Sequence, residues 1–197
     1  MLELPLLTGI MLIIAYLLGS ISSAMTLCHI LQLPDPRTQG SHNPGATNIL
    51  RLHGALYASI VLVFDALKGG IPVYISYRLG ISPFWLGLIA VSACIGHIFP
   101  LFFKFKGGKG VATALGTIAP IDHWLVLCVI VTWLSALALF RYASIAAIIT
   151  ACVTPFYTHW FDARFTLPVS MLCFLIVLCH HNNMKQLIQS QREKRSP

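Results

Sequence analysis

The chain has 197 residues, of which 57% are hydrophobic and only 10% charged, and its mean hydropathy is +0.80. Soluble globular domains carry about 25% charged residues, so this composition excludes an ordinary soluble domain. Its 13 basic and 6 acidic residues give a formal net charge of +7, a balance suited to anionic ligands and to a membrane surface.

Residues 4–33 contain no Asp, Glu, Lys or Arg. A helix crossing the hydrocarbon layer needs about 17–25 apolar residues, so this run predicts a first span. Ser22-Ser23-Ala24 resembles a signal-peptide cleavage site. The residues before the apolar run, however, carry Glu3 and no basic residue, and the run is about twice as long as a signal core. It is expected to stay on as a span.

The first polar connection holds Gly40-Ser41-His42-Asn43-Pro44-Gly45-Ala46-Thr47-Asn48, followed by Arg51. Ser41, Asn43, Thr47 and Asn48 can donate side-chain hydrogen bonds, and Arg51 can grip an oxyanion with two parallel bonds. An ordinary capped turn needs fewer such groups, so the stretch reads as an anion cradle. Residues 52–77 form the next run, which carries Asp65 and Lys68 three apart, on one helical face. This is either a functional pair or a structural ion pair. Gly69, Gly70 and Pro72 follow and predict a break in the helix.

Residues 84–103 form a third uncharged run, with His97 expected as a packing residue. Then comes Lys104-Phe105-Lys106-Gly107-Gly108-Lys109-Gly110. Glycines let the backbone turn its amides toward one point, a following helix adds its positive end, and lysines add full charge, which suits a phosphate. It is not a Walker A loop, because no Ser or Thr follows Gly-Lys. A basic loop that only sets topology would not need the glycines. Residues 110–121 form a short fourth span or a re-entrant piece, and residues 124–140, 142–161 and 165–181 complete the set. His180-His181-Asn182-Asn183 close the last run; no Cys or carboxylate lies at ligand spacing, so polar capping is favoured over zinc. The six cysteines are scattered and read as packing residues.

Seven spans with the N-terminus outside place ten basic residues inside (Arg37, Arg51, Lys104, Lys106, Lys109, Arg141, Lys185, Arg192, Lys194, Arg195) and two outside (Arg78, Arg164). Six spans divide them evenly. The positive-inside rule favours seven. The expectation is a single all-α integral membrane domain over 1–197, with about seven transmembrane helices, a periplasmic N-terminus and a cytoplasmic C-terminus. Both cradles then lie on the cytoplasmic face.

Together GSHNPGATNILRLHG, FDALKGGIPV, GHIFPLFFKFKGGKGVATALG, RYASI and the His180/Asn183 pattern resemble the bacterial acyl-phosphate glycerol-3-phosphate acyltransferase family. The resemblance runs in order along nearly the whole chain. His42 stands where the family has Gly, Ser22 where Pro often follows Gly-Ser-Ile, and Gln186, Ser190 and Arg192 replace the usual Arg, Gly and Glu.

The resemblance implies transfer of a fatty acyl group from acyl phosphate to sn-glycerol 3-phosphate, giving 1-acylglycerol 3-phosphate and phosphate, at a bacterial inner membrane. It also implies as partner the soluble phosphate acyltransferase that makes the donor. By the match, Ser41, Asn43, Lys106, Lys109, His180 and Asn183 are the expected catalytic residues. Gly40, Gly45, Thr47, Asn48, Arg51, Asp65, Lys68, Gly107, Gly108 and Ser144 are expected to bind substrate. No metal, cofactor or nucleic acid is expected. The rival from another class is a transporter of a phosphorylated metabolite, which would show repeat symmetry and midplane sites.

Overall fold

In hydrocarbon the backbone must satisfy its own hydrogen bonds, so uncharged runs of this length form helices or closed barrels. The computed structural model, which describes residues 3–193, is all-helical across them. Its helices are α1 (Glu3–Gly19), α2 (Ser23–Ile30), α3 (Ala46–His53), α4 (Ala55–Arg78), α5 (Pro83–Ile98), α6 (Val111–Ile118), α7 (His123–Phe140), α8 (Ala143–Phe161) and α9 (Thr166–Glu193). Lys194 and Arg195, assigned to the inner side above, lie outside the described residues.

Among the described residues, four segments are long and apolar enough to cross a membrane, α4, Pro83–Phe103, α7 and Ala163–Lys185, and α8, in the expected sixth span, is not one of them. The pair α1 and α2, bent by 44°, makes a fifth if it counts as one span. Each of the seven runs is helical, but two differ from expectation. The first span is not straight: Ser20 Oγ turns back to Tyr16 O, and Ser22 takes an extended conformation before α2. The fourth is only 8 residues long, about 12 Å at the rise of an α-helix, and cannot by itself cover a layer about 30 Å thick.

The break expected at Gly69-Gly70-Pro72 does not occur, for α4 runs through it. Close packing explains why. A β-carbon at Gly69 would strike Thr113 O and one at Gly116 would strike Ala66 O, so α6 lies directly on α4 at these glycines. A neighbouring helix at that distance supports a proline inside a membrane helix.

Ala15, Val73, Ile89, Ala93, Leu172 and Ile176 belong to the main core, formed where α1, α4, α5 and α9 meet. A smaller one, with Cys28, Ile49 and Val61, joins α2, α3 and α4. Leu56, Leu139, Phe156 and Trp160 face outward, Trp160 being 88% exposed. Such an apolar surface marks a lipid-facing protein.

Candidate active site

The first loop is built around one side chain. Asn48, on α3 and 1% exposed, accepts the Ser41 N–H at 2.9 Å and donates to Pro36 O at 2.9 Å and Gln39 O at 3.1 Å. Its amide is fully engaged by backbone, which makes it the organiser of the loop rather than a free ligand group. Gly40 has φ +62°, and a β-carbon there would strike Asn48 Oδ1. His42 has φ +56° without glycine's freedom, and its Nδ1 lies 3.1 Å from Arg37 O. Gly45 starts α3, with its N–H bonded to Asn43 O. Ser41, Thr47 and Arg51 stay exposed and Asn43 half-buried, so these groups are open to a ligand.

The second loop is built from backbone. The Gly107 N–H donates to Ile98 O and the Gly108 N–H to His97 O, each at 3.1 Å. These two amides, expected to cradle an anion, are thus tied to the end of α5. The anion-binding capacity moves one step along the chain. Gly110, at φ +80°, starts α6 with no side-chain cap, leaving the first amides of that helix without internal partners. Lys104 and Lys106 are exposed, whereas Lys109 is half-buried and its charge is felt at Cys179 and His180 on α9. Burial pushes the Lys109 ammonium down to about 8, with the nearby Cys179 opposing.

The two loops touch. Arg37 forks onto Asp35, with Nη2 to Oδ2 at 2.6 Å, and its Nη1 donates to Phe103 O at 3.2 Å. Hydrogen bonds from Arg37 hold the Asp35 carboxyl below its usual range. This bridge joins residues 66 positions apart and carries no local signal in the sequence.

On α9, His180 is 3% exposed and its Nδ1 lies 2.8 Å from Ile176 O. A carbonyl can only accept, so in the neutral ring Nδ1 carries the proton and Nε2 holds the lone pair. Asn183 Nδ2 donates to Ser144 Oγ at 3.2 Å, tying α9 to the start of α8. The hydroxyl of Ser144 is therefore engaged by an amide and the imidazole of His180 by backbone, not by each other.

Asp65 and Lys68 are in neither loop. They form a buried ion pair at 2.8 Å inside the bundle, with Asp65 2% exposed. The structure thus sets Lys109 within electrostatic reach of α9, joins Ser144 to Asn183, ties the first loop to the second, and sets Asp65 and Lys68 behind them.

Residues 9–190 match the family model described as glycerol-3-phosphate acyltransferase. A glycerol-3-phosphate acyltransferase from Vibrio campbellii is 58% identical over 185 residues, covering 94% of this chain and 91% of the relative. One from Shewanella halifaxensis is 55% identical over 191 residues, covering 97% and 96%. Among solved structures, the glycerol 3-phosphate form of PlsY (YgiH), an integral membrane glycerol 3-phosphate acyltransferase, superposes with a TM-score of 0.87 at 33% identity. It covers 93% of this chain and 92% of its own. The lysophosphatidic acid form of the same protein gives 0.86. An all-helical bundle with an apolar exterior, two touching loops rich in anion-binding groups and these matches along almost the full length agree: the chain belongs to the glycerol-3-phosphate acyltransferase family.

Proposed function

We propose that the chain acylates a hydroxyl of sn-glycerol 3-phosphate with a fatty acyl group from acyl phosphate, releasing 1-acylglycerol 3-phosphate (lysophosphatidic acid) and inorganic phosphate. The observation that carries this reading is the uncapped start of α6 at Gly110, directly after Lys109, in a chain whose relative PlsY is solved in glycerol 3-phosphate and lysophosphatidic acid forms. The site faces the cytoplasm of a bacterial inner membrane, the side on which the positive-inside rule sets the basic residues of the two loops, Arg37, Arg51, Lys104, Lys106 and Lys109.

Acyl phosphate is a mixed anhydride with a good leaving group, so no acyl-enzyme is needed. The glycerol hydroxyl oxygen attacks the acyl carbonyl carbon and forms the ester bond. The bond from that carbon to the phosphate oxygen breaks, and phosphate leaves with the electron pair. The hydroxyl proton passes to His180 Nε2 or to a substrate phosphate oxygen. Lys106, Lys109 and the free amides of α6 stabilise the developing charge. Ser41, Asn43, Thr47 and Arg51, on the loop shaped by Gly40, Gly45 and Asn48, hold the other anionic group. Ser144 and Asn183 meet the glycerol phosphate, and the acyl tail lies among helices and lipid. A soluble phosphate acyltransferase supplies the donor.

The test uses purified protein in lipid, with palmitoyl phosphate and glycerol 3-phosphate as substrates and palmitoyl-CoA as control donor. Release of phosphate together with lysophosphatidate from palmitoyl phosphate alone is the expected result. Turnover with palmitoyl-CoA only would overturn the choice of donor, and no turnover in folded protein would overturn the reading.

A further inference from the structure

Behind the second loop lies a buried polar cluster that none of the steps above employs. Asp65 Oδ1 receives the Ser23 hydroxyl at 2.8 Å and the Lys68 ammonium at 2.8 Å. Lys68 also donates to Ile21 O at 2.9 Å. The pair therefore sits on the break between α1 and α2, with its cation at the carbonyl left open after α1 and its anion at the start of α2. These are the ends where each charge is favoured. An ion pair taken out of water is weak evidence for stability, since desolvation offsets much of the attraction. What such a pair supplies is geometry.

The third member is His97 on α5, 6% exposed. Its Nδ1 faces Asp65 Oδ1 at 3.5 Å and has no hydrogen-bond partner among the described residues. Its other nitrogen, Nε2, lies directly against Gly108, where a β-carbon would collide with it. The backbone of the same residue ties the loop down, because His97 O accepts the Gly108 N–H. The imidazole is thus held between a fixed carboxylate on one side and the glycine loop on the other, one residue before Lys109.

We propose that Asp65 and His97 are positioning residues: the carboxylate orients the imidazole, and the imidazole sets the height of the loop at Gly108, and with it the direction of Lys109. Neither touches substrate. The proposal rests on the reading of this loop as a phosphate-binding element. Lys68 holds the carboxylate in place through the ion pair at 2.8 Å, and Ser23 anchors it to the broken first span. The shape of that break is thereby passed to the loop.

Two substitutions separate the two ends of the imidazole. An Asn amide nitrogen reaches about where His Nδ1 lies, and a Gln amide about where Nε2 lies. His97→Asn keeps the partner of Asp65 and loses the support under Gly108; His97→Gln does the reverse. In purified protein in lipid, His97→Asn is expected to raise KM for one phosphate-bearing substrate by about tenfold or more, with kcat changed less than about threefold. His97→Gln, which keeps the support under Gly108 and loses only the carboxylate contact, should raise KM by less, about threefold. Because Asp65→Asn alone would strand a buried ammonium and could unfold the chain, the charge-balanced Asp65→Asn/Lys68→Gln pair tests the carboxylate. Its KM should shift in the direction of His97→Asn.

A second readout does not depend on acyl transfer: protection of Lys109 by inorganic phosphate against acetic anhydride, followed by mass spectrometry. Wild type and His97→Gln should be protected and His97→Asn should not. Equal protection and equal KM in the two His97 variants, with only Tm altered, would overturn the role of His97. A wild-type KM in the double variant would overturn that of Asp65. A wild-type protein that turns over nothing would sink the acyltransfer reading, while the protection experiment would still decide this one.

Discussion

The two loops of the site reach similar chemistry by opposite construction. In the first, a single buried side chain, Asn48, gathers the backbone of Pro36, Gln39 and Ser41, and the exposed groups around it are free. In the second, backbone holds backbone: Gly107 and Gly108 hang from the last carbonyls of α5, and the free donors are the amides after Gly110. Counting glycines and polar residues cannot distinguish the two cases. What matters is which amides are already spent, because a bonded N–H offers nothing to a ligand.

The construction of the first loop makes Asn48 its weakest point. Asn48→Ala would leave the Ser41 amide and the Pro36 carbonyl without partners, each at a cost of about 1–3 kcal/mol where buried, while Gln39 O keeps the His42 N–H. The expected result is a loss of acyltransferase activity of about 100-fold or more, with hydrogen exchange across residues 36–48 becoming faster. A variant that keeps slow exchange while losing activity would instead make Asn48 a direct substrate ligand.

For the second loop, depth should separate its lysines. Lys109 is half-buried, whereas Lys106 is exposed to water, where charge interactions are weakened. Lys109→Met should lower kcat/KM by about 100-fold and Lys106→Met by about tenfold or less, in a steady-state assay at fixed salt. Equal losses would mean that both ammonium groups grip the substrate, contrary to the backbone-built picture.

Protonation gives a finer cut. The folded pKa of Lys109 is lowered to about 8, so its cationic form is present below that value and is lost as pH rises through it. An ordinary lysine stays charged to about 10.4. Accordingly kcat/KM should decline above pH 8, and the decline in kcat should lie at higher pH because a bound anion favours the ammonium. Lys109→Arg should remove the decline, since a guanidinium keeps its proton throughout that range. A profile flat to pH 10 in the unaltered protein would show that this charge does not hold the substrate.

How far these features could be read in advance differs between fold and site. The long uncharged runs, the short helix beginning at the glycines and both loops follow from hydropathy and local spacing. The bend after Gly19 and the continuity of α4 through Pro72 do not, because each is decided by another helix: Lys68 meets the carbonyl of Ile21, and α6 lies on Gly69. In the site, Asn48 was legible as a polar member of the loop, but its role as organiser depends on where Pro36 and Gln39 come back in space. The links from Asp65 to Ser23 and from Arg37 to Phe103 join residues 42 and 66 positions apart. Periodicity has no term for such pairs.

The smallest effect is expected at His42, where the motif that this loop resembles has glycine. A left-handed backbone costs a non-glycine residue about 1–2 kcal/mol, and His42 offsets part of that through its contact with Arg37 O at 3.1 Å. In His42→Gly the strain and the contact vanish together, while the unfolded chain gains freedom. Stability should therefore change by less than about 1 kcal/mol and activity by less than about twofold. Thermal unfolding and steady-state kinetics on the same preparation decide between two roles. A gain in Tm with unchanged activity would mark His42 as a tolerated strain in the loop. A fall in activity larger than the change in Tm explains would make its imidazole part of the anion site that Asn48 organises.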